Sequence, residues 1–419
     1  MVTNKYKKRK RRLKQLWSDN TIYETKRNLN KLGNNIKHNT NNNDMKQRYF
    51  HLFSNFKKMV KQKKIQYQKK IFDTLSEKYN SNPQEYWKIL KSFKNGVTED
   101  EEIPEILNNE EKLIKHFQQQ GNPFKINTEL KEKIENTLKK LEEKLKENPE
   151  TDRPITFGEI KNVIKNLKTG KAAGPDRIIN EVIKCSHTVI INCILKMFNL
   201  ILKVGKYPKS WRESFLTPIH KSGDKKDPNN YRGVSLINSL AKMFNAILNN
   251  RLTGILRDFL SNNQFGFRKD HRTADSIFVL KSLINKYLHK NKKKIYACFV
   301  DLKKAFDSVW RDGLLYKLYE VGVGIKFFNI VKDQYEKTIS SLKYKNCYSE
   351  FFKIERGVKQ GDSLSPTLFN IFINDITSIF EKNYCNPLQM IEMKIGSLLF
   401  ADDLLILSET KHGLQNSLR

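Results

Sequence analysis

The stretch "SLLFADDLLILS", residues 397–408, sets two adjacent carboxylates in an otherwise apolar run that contains no Lys or Arg. An ionised carboxylate moved out of water without a partner is costly, so Asp402 and Asp403 must reach solvent or face a cation. Neighbouring residues of a strand point to opposite faces, and the pair can aim at one place only from a turn. Asp tolerates turn geometry. The pattern therefore predicts a hairpin in which "MKIGSLLF" rises, "LLILS" returns, and Asp402 and Asp403 occupy the tip. Taken alone, an ADD tripeptide in apolar surroundings also fits ordinary hairpin or capping residues.

A second acidic stretch, "KKIYACFVDLKKAFDSVW", spans 293–310. Its run "IYACFV" has the β-branched and aromatic bias of a buried strand and delivers Asp301 at its carboxyl end. Asp307 follows six residues later at the expected start of a Leu- and Tyr-rich helix, where its plain role is an N-cap. Asp301 is the better placed ligand, because a strand end fixes a carboxylate more rigidly. If the hairpin tip lies beside it, three carboxylates converge and call for hard divalent cations. Mg²⁺ suits them, since it takes oxygen ligands and leaves positions for water and phosphates. Two such ions form the clamp used for in-line phosphoryl transfer.

Composition supports a polyanionic partner. The 419 residues carry a formal charge of +33, and residues 1–95 hold 25 Lys and Arg against 6 Asp and Glu. "KKRKRR" at 7–12 and the Asn-rich run after it read as a basic, solvated arm over 1–44, suited to phosphate binding or nuclear import. A Lys-rich helical region and linker follow over 45–150. Within it, Leu52, Phe56, Val60, Ile71 and Leu75 lie at helical spacing, and "NTELKEKIENTLKKLEEKLKEN" reads as a charged spacer helix. Ordinary globular composition runs from 151 to 419, where a helix is expected from Phe157 to Leu167 and a turn at "AAGPD". Five scattered cysteines, never spaced CxxC, give no support to a zinc site or a disulfide framework. The eight histidines show no paired spacing. No run of 18 apolar residues exists, and no membrane is expected.

Between the acidic stretches lies "GVKQGDSLSPTLFNIFINDI", residues 357–376. It reads as a Gly-rich turn followed by a helix that Pro366 can start, with Leu368, Phe369, Phe372 and Ile373 facing inward. Gly357 and Gly361 permit close backbone approach, and Gln360 can hydrogen-bond a base or sugar edge or be an ordinary loop residue.

In this order and spacing, "FVDLKKAFDSV", "GVKQGDSLSP" and "FADDLLIL" resemble three palm motifs of reverse transcriptases of non-LTR (LINE-like) retrotransposons. "GKAAGPDRI", "SWRESFLTPIHKSGDKKDPNNYRGVSL", "LAKMFNAILNNRL" and "NQFGFRKDHRT" resemble the family's fingers and adjoining segments, and "YWKILKSFK" and "KLIKHF" its pre-polymerase region. The resemblance covers about 80–419. It implies an α+β, right-hand polymerase fold: fingers and an incomplete palm with an antiparallel catalytic sheet, preceded by a basic helical N-terminal region. Because the chain stops at "SETKHGLQNSLR", the resemblance also implies truncation within the palm, with no thumb and no endonuclease domain.

By position, Asp301, Asp402 and Asp403 would be catalytic and hold two Mg²⁺, for which Mn²⁺ could substitute, with Asp403 the less direct ligand and the Leu302 carbonyl assisting. Ala305 would floor the sugar, and Phe306 matches the gate residue under it, although a core aromatic reads equally well. Gln360 and Gly361 match the segment lining the nascent base pair. Lys221 and Arg232 match positions that grip the dNTP triphosphate, or are surface cations. Arg268 and Lys269 are template-backbone contacts or a solvated face. The implied activity is RNA-directed DNA polymerisation on an RNA template and DNA primer, in the nucleus or otherwise the cytoplasm. The alternative is a truncated, inactive remnant that only binds nucleic acid. Oligomeric state is left open.

Overall fold

The computed structural model describes residues 18–38, 42–82, 85–86, 110–122, 128–344 and 347–419; "KKRKRR" and most of "YWKILKSFK" lie outside them. Residues 1–102 and 103–419 form two compact units. In the first, the helices Asn20–His38 and Asn43–Ser81 pack on each other. The expected solvated arm therefore holds a helix over residues 20–38. Its Ile22 and Leu29 lie two turns apart and are both buried, which gives an Asn-rich segment an apolar seam. Asp19 caps it beside Lys63, at 2.8 Å.

The second unit holds ten strands among the described residues: β1 (Glu213–His220), β2 (Tyr231–Leu236), β3 (Tyr296–Asp301), β4 (Ile339–Tyr344), β5 (Cys347–Tyr348), β6 (Phe352–Lys353), β7 (Leu388–Met390), β8 (Met393–Ile395), β9 (Ser397–Phe400) and β10 (Asp403–Ser408). β1 and β2 form an antiparallel hairpin, and β1 pairs in parallel with β4, which carries β5 and β6. A separate antiparallel sheet has the order β3-β10-β9, so the last strand in sequence lies at its centre.

One face of that sheet carries Val300, Leu399, Leu404 and Ile406, which pack with Phe380, Ile373 and Leu414. On the other, Leu398, Leu405 and Leu407 pack with Leu283 and Tyr287. β3 was expected to be fully buried, yet it alternates, and Phe299 is 80% exposed. The difference follows from position: β3 is an edge strand, and the helix Thr273–Ile284 covers only part of the face that Phe299 shares with Asp301.

A separate helical core is built on Phe198, Phe244, Phe327, Phe328 and Phe369, all essentially buried. The helix Phe157–Asn166 begins with a Thr156/Glu159 capping box, and Arg251 clamps Glu159 at 2.9 Å. "KLIKHF" lies on the helix Glu110–Gly121, whose Leu113 and Phe117 pack on Leu216, Tyr231 and Leu342 of the mixed sheet. The charged helix Thr128–Glu142, expected as a spacer, is docked: Leu138 is buried in the main core and Lys332 pairs with Glu142 at 2.6 Å. Its charges conceal a single apolar stripe, Ile134 and Leu138 at i, i+4, continued by Leu145.

Candidate active site

β9 and β10 turn through Ala401 and Asp402. Ala401 has φ = 59°, the left-handed region that a two-residue hairpin turn requires. Asp403 is then the first residue of β10 and not part of the turn, and it lies directly opposite Asp301 at the end of β3. Residues facing each other across an antiparallel pair share a face and hold their Cβ atoms about 4.5–5.5 Å apart. The register thus brings Asp301 and Asp403 together, with Asp402 in the adjoining turn. Both paired carboxylates are exposed and line a cleft of ≈ 460 Å³ with Ile277, Leu280 and Phe299.

Among the described residues no group of three His, Cys, Asp or Glu side chains forms a ready metal site, so the expected convergence of three carboxylates reduces to this pair and a neighbour. Like charges directly opposite are destabilising, and hard oxygen donors facing a cleft suit Mg²⁺, which is commonly bound by one or two carboxylates plus water and phosphate. The donor set fits that ion.

The turn is held by a segment whose role the sequence did not reveal. Gln264 is buried: its Oε1 accepts from the N–H groups of Ala401 (3.2 Å) and Gly266 (2.8 Å), and its Nε2 donates to the Ala401 carbonyl (3.3 Å). Phe265 donates to Leu399 O at 2.8 Å, and Leu399 donates to Asn263 O at 2.8 Å, which extends the sheet beyond β9. A Cβ on Gly266 would meet Ala401 N at 2.0 Å. "NQFG" is thus a backbone clamp on the acidic turn.

Arg268, expected at the template, spends its guanidinium on the Ser261 and Gln264 carbonyls of the same segment (2.7 and 3.3 Å), where burial lowers its pKa. Lys269 is exposed.

Beyond β3, Leu302, Ala305 and Phe306 follow within five residues, all half-buried. Phe306 stacks on Phe369 (centroids 4.8 Å apart, planes at 13°) and meets Phe267 edge-on at 5.7 Å. Asp307 is not an N-cap, because the helix starts later, at Arg311, with Trp310 as its cap. Its carboxylate instead accepts from Gln360 Nε2 at 2.9 Å.

The loop bearing Gln360 is pinned on several sides. Val358 N–H donates to Phe306 O (2.9 Å), and Ser235 N–H of β2 donates to Gln360 O (2.7 Å). Gly361 has φ = 116°, and a Cβ there would meet Ser235 O at 2.7 Å. Beneath it, buried Asp362 accepts from Asn245 (2.8 Å) and Gln334 (3.0 Å), while buried Lys359 donates to the Arg212 carbonyl (3.0 Å). Burial raises the Asp362 pKa and lowers that of Lys359 to about 8.

On the β1–β2 hairpin, Arg232 pairs opposite Ile219, and Lys221 N–H continues the ladder to Asn230 O. Two-residue alternation places Lys221 and Arg232 on one face, both exposed.

Comparison with known proteins points to a family. The family model "Reverse transcriptase (RNA-dependent DNA polymerase)" matches residues 219–419, which include Asp301, Asp307, Asp402 and Asp403, Gln360 and the β1–β2 cations. Residues 219–419 are thus similar to the reverse transcriptase family. It is similar to the probable RNA-directed DNA polymerase from transposon BS of Drosophila melanogaster, at 30% identity over 79% of this chain and 37% of that protein. The RNA-directed DNA polymerase from mobile element jockey of Drosophila funebris is 34% identical over 61% of this chain and 28% of its own length. A polyprotein from retrotransposable element R2 of Nasonia vitripennis is 32% identical over 64% and 25%. The chain spans between a quarter and two fifths of these relatives. Its likeness to the reverse transcriptases of non-LTR retrotransposons is thereby shown. No helix among the described residues is long and apolar enough to cross a membrane.

Proposed function

We propose that this chain is the catalytic core of an RNA-directed DNA polymerase of a non-LTR retrotransposon, copying an RNA template from a DNA primer with dNTPs. The β3-β10-β9 sheet is its palm, and the β1–β2 hairpin belongs to its fingers. What carries this reading is the register that sets Asp301 opposite Asp403 beside Asp402, within a segment matched to reverse transcriptases.

Asp301, Asp403 and Asp402 would hold divalent cations, Mg²⁺ or Mn²⁺, with the Leu302 carbonyl beside them. When bound, such ions favour the attacking 3′-oxygen and stabilise charge on the leaving pyrophosphate. Lys221 and Arg232, standing on one face of the hairpin, neutralise the triphosphate. Phe306, braced by Phe369 and Phe267, presents bulk under the sugar, next to Ala305. Gln360 and Gly361, tied to β2, line the nascent base pair. The charge of +33 supplies attraction for nucleic-acid phosphates, Lys269 among its exposed contributors, and is in keeping with a nuclear site of action.

The test is primer extension on an RNA template by this chain with Mg²⁺. Asp301→Ala and Asp403→Ala are expected to abolish incorporation while leaving salt-dependent RNA binding intact. Extension by both variants at the unaltered rate refutes the assignment. RNA binding without incorporation by the unaltered chain favours a remnant that only binds.

A further inference from the structure

Asp307 is a half-buried carboxylate, beside Gln360, that the polymerase chemistry outlined above does not use. It follows Phe306 directly, and its backbone supports the Gln360 loop: a Cβ on Gly357, at φ = 78°, would meet Asp307 Cα at 2.8 Å. Its side chain accepts from Gln360 Nε2 at 2.9 Å, on the wall of a cavity of ≈ 50 Å³ shared with Gly233, Ser235 and Arg356. The charges of Lys304, Arg232 and Arg356 all act on it.

We propose that Asp307 is a positioning residue for nucleotide selection: it fixes the Gln360 side-chain amide against the incoming nucleotide and ties that amide to the triphosphate cation Arg232 and the neighbouring gate residue Phe306. The inference rests on the polymerase reading.

The geometry makes this more than a packing contact. Gln360 is tethered at its backbone carbonyl by β2 and at its side-chain amide by Asp307, so the residue is held from two elements and its side chain by Asp307 alone. Without the carboxylate only the first tether remains, and the amide can swing on its free torsions. Burial raises the Asp307 pKa, and the Gln360 hydrogen bond and the charges of Lys304, Arg232 and Arg356 oppose that rise.

Asp307 acts through Gln360 and not on the reacting atoms, which a double-mutant cycle can read. Asp307→Ala, Asp307→Asn, Gln360→Ala and Asp307→Ala/Gln360→Ala are compared in single-nucleotide incorporation. Asp307→Ala is expected to raise KM for dNTP about tenfold or more, with kcat changed by less. Asp307→Asn, which keeps an oxygen acceptor, should restore KM to within about threefold. The double variant should be no worse than Gln360→Ala. Asp307→Leu, which fills the same space, replaces the alanine variant if that one does not fold.

An unchanged KM in Asp307→Ala, an asparagine variant as impaired as the alanine one, or effects that multiply in the double variant each overturn the inference. Equilibrium dNTP binding to the unaltered chain and these four variants reads the cycle without turnover. Absent incorporation by the unaltered chain therefore refutes only the polymerase reading, whereas nucleotide binding indifferent to Asp307 refutes this one.

Discussion

Asp403→Asn should make the protein more stable in the absence of divalent metal while abolishing the proposed polymerase activity. The register holds Asp301 and Asp403 side by side on one face of the β3-β10-β9 sheet. Two unit charges about 5 Å apart repel by roughly 0.8 kcal/mol at the dielectric of water and by about 3 kcal/mol at an effective value of 20. Both side chains are exposed, which puts this pair at the lower end. Removing one charge in EDTA should therefore stabilise the fold by about 0.8 kcal/mol, a rise in Tm of roughly 2 °C.

Magnesium reverses the order. At ten times its dissociation constant a bound ion adds about 1.4 kcal/mol to the unaltered chain, and much less to a variant that has lost one carboxylate. Scanning calorimetry in EDTA and in a Mg²⁺ series, at constant ionic strength, supplies the readout. An Asp403→Asn protein that melts at or below the unaltered one in EDTA, or that gains as much from Mg²⁺, refutes the shared-cation argument.

Gln264→Leu removes the bonds that clamp the acidic turn, and extension should fall about 10- to 100-fold, with RNA affinity retained in a filter-binding assay. Phe306→Val takes bulk from the proposed gate and should raise rNTP incorporation relative to dNTP by roughly 10- to 100-fold in competition assays. His116, on the helix Glu110–Gly121, is held neutral by burial with its pKa lowered to about 4, and nearby Lys304 acts in the same direction. Unfolding lets it take a proton, so its contribution is complete above the ordinary histidine value of 6.5 and is lost as pH falls towards 4. His116→Gln should flatten Tm against pH within that window.

Local chemistry made much of this site legible. Two acids in an apolar run demand a turn, a β-branched run ends on Asp301, and a Gly-rich loop precedes the helix Ser365–Ile373. Each of these signals is contained within a dozen or so residues. Register is different. That Asp403 faces Asp301 while Asp402 stays in the turn depends on how two distant strands align, and a shift of one residue would exchange them.

The Gln264 clamp spans 137 positions and leaves no periodicity to find. Asp307 was misread because an acid before a helical pattern resembles a cap, and only the later helix start at Arg311 frees it for Gln360. The helices Asn20–His38 and Thr128–Glu142 hide their short apolar seams under Asn, Lys and Glu.

The position of β10 between β3 and β9 bears on how the protein is made. A ribosome releases β3 roughly a hundred residues before β10, the strand that pairs with it among the described residues. Until then an open edge carrying Phe299 waits in the nascent chain, where another strand can add to it and seed aggregates. Slow elongation between codons 301 and 403 should therefore lower the soluble yield, and chaperones that shield extended segments should restore it.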